Sequence, residues 1–217
     1  MKLQEVFDHL AYGEFAQLQV GNPDGEGQFG VTPETRHRLV THINLGLTEL
    51  HKRFLLREGR TQIFVVPGLR DYDVAADDIH KIERVYAEGQ ELALNQLGKP
   101  DSLHTIGYRT LSLPMGLVTP VLEVVYRADH PVLSARDAAQ APDRVEINLP
   151  RTHLEALLYY VASRIFNPMG ADGGRAEFHE GNNYAAKFEQ ACRVLENGGY
   201  QISQEAEKTR FEKNGWV

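Results

Sequence analysis

The sequence predicts an α+β fold: a helical bundle built from both ends of the chain, an antiparallel β-rich insertion between them, and an extended C-terminal tail. Three observations carry that reading. Apolar residues recur at helical spacing near both ends. Between about residues 60 and 150 the period changes to two, which marks half-buried antiparallel strands. The last stretch, YQISQEAEKTRFEKNGWV, has too few apolar residues to form a core. The expected division of the single domain is a helical part at 1–58 and 151–199, the insertion at 59–150 and a C-terminal arm at 200–217.

The helices come first. Val6, Phe7, Leu10, Phe15 and Leu18 give residues 3–18 a short amphipathic pattern, and the glycine-rich loop GNPDGEGQFG at 21–30 follows. Thr32 is a good N-cap and Pro33 suits the first helical position, where its missing N–H costs nothing. Leu39, Ile43, Leu47, Leu50 and Phe54 then fall on one face. The basic end, HKRFLLR, complements the helix dipole, and Gly59 can stop the helix.

The insertion reads as strands. TQIFVVPG is a β-rich run ended by Pro-Gly, and KIERVYAEGQELAL looks like a hairpin around Glu88-Gly89. VLEVVYRA places Leu122, Val124, Tyr126 and Ala128 on one face, with Glu123 and Arg127 opposite. RVEINLP at 144–150 alternates as well, with Val145, Ile147 and Leu149 in register.

Two helices close the bundle. Thr152 and Glu155 have the spacing of a capping box ahead of Leu154, Leu157, Leu158, Val161 and Ile165, and Asn167-Pro168 is the expected stop. The loop MGADGGRAEFHEG follows. Asn182 or Asn183 is then the expected cap of a helix bearing Tyr184, Phe188, Cys192 and Leu195, ended by Gly198-Gly199.

Composition narrows the function. The net charge of −7 disfavours a protein whose main task is gripping phosphates. A single cysteine, Cys192, excludes an internal disulfide and a thiolate-rich zinc site, and reads as a small buried residue. No apolar run approaches the roughly 18 residues of a membrane span. The opening MKLQEVFDHLAYGEF lacks the apolar stretch of a signal peptide, so synthesis in a cytoplasm is expected.

Catalytic constellations are absent. The histidines form no HExxH, the serines no GxSxG, and neither glycine-rich loop carries the GK[ST] of a P-loop. No cofactor is expected. The acidic run RDYDVAADD (Asp71, Asp73, Asp77, Asp78) is the best metal candidate. It lacks the calcium-loop spacing and reads better as a solvated loop; the alternative is a metal-dependent hydrolase built on those carboxylates.

The order of features is itself informative. A short N-terminal helix, VTPETRHRLVTHINLGLTELHKRF, a β-rich insertion, LEALLYYVASRIFNPMG, NYAAKFEQACRVLE and a tail ending in NGW together resemble the head-to-tail adaptors of short-tailed bacteriophages. These connector subunits are also called tail tubular protein A, and the similarity is greatest to those of N4-like phages. The resemblance covers nearly the whole chain and implies a structural virion protein, not an enzyme. It implies a dodecameric ring below the portal that extends the DNA channel, lets DNA pass without specific binding, and presents a platform to the tail nozzle. It also implies that the C-terminal segment reaches the portal, with Arg210, Phe211 and Trp216 as docking anchors. The insertion would then face the nozzle or a neighbouring subunit. A different virion connector or nozzle subunit is the second structural possibility.

Overall fold

The computed structural model describes residues 1–12, 31, 33–169 and 175–199. The chain divides into two compact units, His51–His130 and the residues on either side of it.

The flanking unit is helical. Helix α1 (Leu3–Ala11) buries Leu3, Val6, Phe7 and Leu10, the expected stripe. The backbone N–H of Lys2 donates to the Glu5 carboxylate, and its ammonium meets Glu146 at 2.6 Å. Helix α2 (Pro33–Arg53) buries Leu39, Ile43, Leu47 and Leu50 as the spacing predicts. Helix α3 (Ala135–Gln140) follows a Ser134 N-cap whose hydroxyl accepts from the backbone of Asp137. Asn44 on α2 exchanges two hydrogen bonds with the backbone of Leu133, at 2.9 and 3.1 Å.

Helices α4 (Leu154–Met169) and α5 (Arg175–Asn197) pack against each other, and α1 packs on α4. Tyr160 and Phe188 meet edge to face at 5.3 Å, and Tyr184, Cys192 and Leu195 are buried beside them, as expected. Gly46 lets α2 approach α4 closely, since a Cβ there would lie 2.8 Å from Leu157 Cδ1 and 2.9 Å from the Tyr160 ring.

Four local expectations are corrected. Pro168 does not end α4, which continues to Met169; a proline costs its own N–H bond and crowds the carbonyl four residues back, but only one residue of helix follows it here. Asn182 and Asn183 are not caps, because α5 opens at Arg175. Ala176, Glu177 and Glu180 favour the helix enough to carry it through Gly181. Thr152 makes no capping box: Arg151–His153 form a 3-10 turn, and the Thr152 hydroxyl pairs with the His153 ring at 3.1 Å. RVEINLP joins neither sheet. It lies extended against the N-terminus, where Met1 and Ile147 exchange backbone bonds and Leu3 N–H reaches Val145. Its alternation is real, because Ile147 and Leu149 are buried, but its partner is the chain's first residues.

The other unit holds seven strands: β1 (Glu58–Phe64), β2 (Asp71–Asp73), β3 (Ile79–Ala87), β4 (Gln90–Glu91), β5 (His104–Thr105), β6 (Thr110–Ser112) and β7 (Val121–Ala128). They make an antiparallel sheet ordered β1-β7-β3-β4 and a smaller one ordered β2-β6-β5. The expected hairpin at Glu88-Gly89 is present, both residues having positive φ, as a tight two-residue turn requires. Ile63, Val74, Ile82, Val85, Leu111, Leu122 and Val124 form one core cluster spanning both sheets.

Gly59 does not stop α2. It lies in β1 opposite Tyr126, whose ring occupies the space a Cβ would need. On β7 the expected face is buried, but the opposite face is covered too. Val125 is fully buried, and the Arg127 guanidinium meets Glu83 at 2.7 Å and donates to the Lys52 carbonyl at 2.7 Å.

Candidate functional site

The acidic run was the leading chemical candidate, and two of its four carboxylates, Asp73 and Asp78, go to structural partners. Asp71 and Asp73 sit at the two ends of β2, exposed on either side of buried Tyr72. Asp73 accepts from the Thr110 hydroxyl at 2.7 Å. Asp78 accepts from Arg57 at 2.8 Å and from the Tyr126 hydroxyl at 3.2 Å. Burial, followed by the Asp78 charge, pushes the Tyr126 phenol above its ordinary value. Asp77 is exposed. Among the described residues, no group of three or more His, Cys, Asp or Glu side chains could hold a metal ion.

The same Arg57 donates to the Asp129 carbonyl at 2.7 Å, and Asp129 N–H donates to the Asp78 carbonyl. His80 Nε2 lies 3.4 Å from Asp129 Oδ1, and the His51 and His130 rings are 5.7 Å apart. These contacts tie the chain leaving α2 to the ends of β3 and β7. They hold the unit together, and His80 also lines an open pocket of about 240 Å³ with Ile82, Thr105 and Tyr108.

This unit also displays an apolar corner. The β1–β7 ladder runs from Glu58↔Arg127 to Phe64↔Val121, and the β2–β6 ladder from Asp71↔Ser112 to Asp73↔Thr110. One antiparallel ribbon therefore passes through both sheets, and both of its strands leave the ladder at the same place. There, residues 65–70 and 113–120 form adjacent turns, closed at one end by Val65 N–H to Pro120 and at the other by Leu113 N–H to Arg70, both 2.9 Å. The Tyr72 hydroxyl reaches the N–H and carbonyl of Val66 and the carbonyl of Leu69. On this braced corner Phe64 is 71% exposed, Met115 85% and Val118 94%, with Val66 and Leu69 about half exposed.

The helical unit has a groove of about 300 Å³ between α4 and α5, lined by Ala156, Tyr159, Ala191, Val194 and Leu195, with Glu155 at its edge. Lys187 lies over the rings of Tyr159 and Tyr184 at 5.4 and 5.2 Å. Thr152 and Gln190 complete the lining of this groove.

The model of the SU10 adaptor protein family matches residues 16–209. The chain belongs to this family. No curated protein matches it. The protein is thus a phage head-to-tail adaptor, as the order of helices and insertion predicted, and its family is one of structural proteins, not of enzymes. The hydrolase reading of Asp71, Asp73, Asp77 and Asp78 falls with that assignment, and Asp73 and Asp78 are engaged by Thr110 and Arg57.

The adaptor's expected docking residues Arg210, Phe211 and Trp216 lie outside the described residues. So do Thr32, Phe15, Leu18 and the loops at 21–30 and 170–174. The apolar corner was missed in the sequence. Its signal was there: FVVPGLR and LPMGLVTP hold one charged residue, Arg70, in a chain that is 24% charged. Among the described residues, no helix is long and apolar enough to cross a membrane.

Proposed function

We propose that this adaptor forms a dodecameric ring below the portal, joins the phage head to the tail nozzle and extends the DNA channel. The observation that carries the reading is the family match over residues 16–209, which includes α2, the insertion, α4 and α5. The helices supply the ring wall, and residues 200–217 reach the portal through Arg210, Phe211 and Trp216. An aromatic pair with an arginine suits a desolvated interface anchor. A closed ring needs two different faces on each subunit, one meeting the other on the next copy. The net charge of −7 per subunit fits a channel from which DNA is repelled and does not stick.

Mixing the purified chain with its portal tests this reading by sedimentation velocity. The expected result is a ring-sized complex with the full chain and none with a chain ending at Gly199. Failure of the full chain to join the portal would overturn the proposal.

A further inference from the structure

We infer that the apolar corner at residues 64–70 and 113–120 is a docking surface for a multimeric protein partner that presents an apolar recess with a carboxylate at its rim. This rests on the ring proposed above.

The corner is built for display. Its two turns are closed at both ends by backbone hydrogen bonds and braced by Tyr72, so the side chains are positioned before any partner arrives. Preorganised surface loses little entropy on binding. The turns need not carry large apolar residues to fold, since Gly68 and Gly116 supply the positive-φ positions. Yet Phe64, Val66, Leu69, Met115 and Val118 stand exposed there.

Area and charge identify the occupant. Together the five side chains expose on the order of 600 Å², the upper end of what a monomer leaves uncovered, and less than the roughly 800 Å² per partner of a standard interface. Paired corner to corner, two copies would bury an area at the low limit of stable association. Repeated around a ring, the same patch engages a multimeric partner at many points, and avidity replaces area. Arg70 is the corner's only charged side chain, and its Nε donates to the Leu113 carbonyl at 3.3 Å. A carboxylate opposite it completes the match.

The test uses the full chain assembled on its portal, with the purified tail nozzle protein as probe. The variants are Met115→Ser with Val118→Ser, both more than four-fifths exposed, and separately Arg70→Glu. Wild-type rings should bind the nozzle protein. Double-variant rings should form on the portal normally and bind it at least tenfold more weakly, with Arg70→Glu intermediate. Wild-type affinity in both variants would overturn the inference. So would a double variant that keeps its circular dichroism and melting temperature but no longer forms rings, because the corner would then be a contact between copies. Rings that form on the portal and ignore the nozzle protein overturn the docking inference and the nozzle contact of the proposed function, and leave the portal-bound ring standing. No ring on the portal overturns the proposed function beneath it.

Discussion

Gly59 shows how one residue reconciles a helix-to-strand transition with a packed aromatic. The sequence pattern offers it as a helix stop, whereas its position in β1 is set by the Tyr126 ring lying across it. Tyr126 in turn hydrogen-bonds Asp78, which Arg57 also holds. Gly59→Ala should therefore cost about 1–3 kcal/mol through overpacking, read as a lower melting temperature. Wild-type stability would contradict the placement of that ring. His153 predicts a pH dependence. It is buried, and burial lowers its pKa from the ordinary value, so the fold favours the neutral ring. His42 is lowered too, by burial and then by Arg38 and Arg164. The unfolded chain takes up protons near about pH 6.5, where the folded chain does not. Stability is thus full above that value and falls as pH drops below it toward the folded pKa. The melting temperature should decline between about pH 7.5 and about pH 5.5, and the decline should shrink in His153→Gln. An unchanged decline in that variant would remove His153 from the account.

At the scale of elements, the ribbon through both sheets depends on its braced break. Tyr72→Phe removes the hydroxyl that holds Val66 and Leu69 and should cost about 1–2 kcal/mol, with faster amide exchange confined to residues 65–70 and 113–120. Exchange that rises across all of β1 and β7 would mean that the hydroxyl supports the sheet instead. Elements whose pattern reports their own burial were legible in the sequence. The stripes Leu39–Leu50 and Tyr184–Leu195 and the alternation of Leu122, Val124, Tyr126 and Ala128 all point where they were expected. Elements whose identity depends on a distant partner were not. RVEINLP alternates as a strand would, but pairs only with Met1–Leu3, more than a hundred residues away. Helix α3 carries a readable Ser134–Asp137 cap but is too short for its periodicity to stand out. Pro168 and the Asn182-Asn183 pair looked like punctuation, and helix continuity outweighed both. The corner was illegible for another reason. FVVPGLR and LPMGLVTP each resemble a strand end with its turn, and only the β1–β7 and β2–β6 registers bring them together.

For the whole molecule, a head-to-tail adaptor explains why a search for catalysis finds none. Asp78 and Asp73 of RDYDVAADD bind Arg57, Tyr126 and Thr110, the lone thiol of Cys192 is buried, and one corner of the insertion exposes apolar side chains. An adaptor works by binding other virion proteins, and in the proposed ring its own copies cover part of it as well. The central claim is that the C-terminal segment is the part the portal covers, and Trp216, the chain's single tryptophan, reports on it directly. The decisive measurement is tryptophan emission of the full chain titrated with a portal whose own tryptophans have been replaced. The account predicts a blue shift that saturates at one adaptor subunit per portal subunit and is lost with Phe211→Ala. An emission maximum that does not move, while sedimentation shows the complex forming, would contradict it.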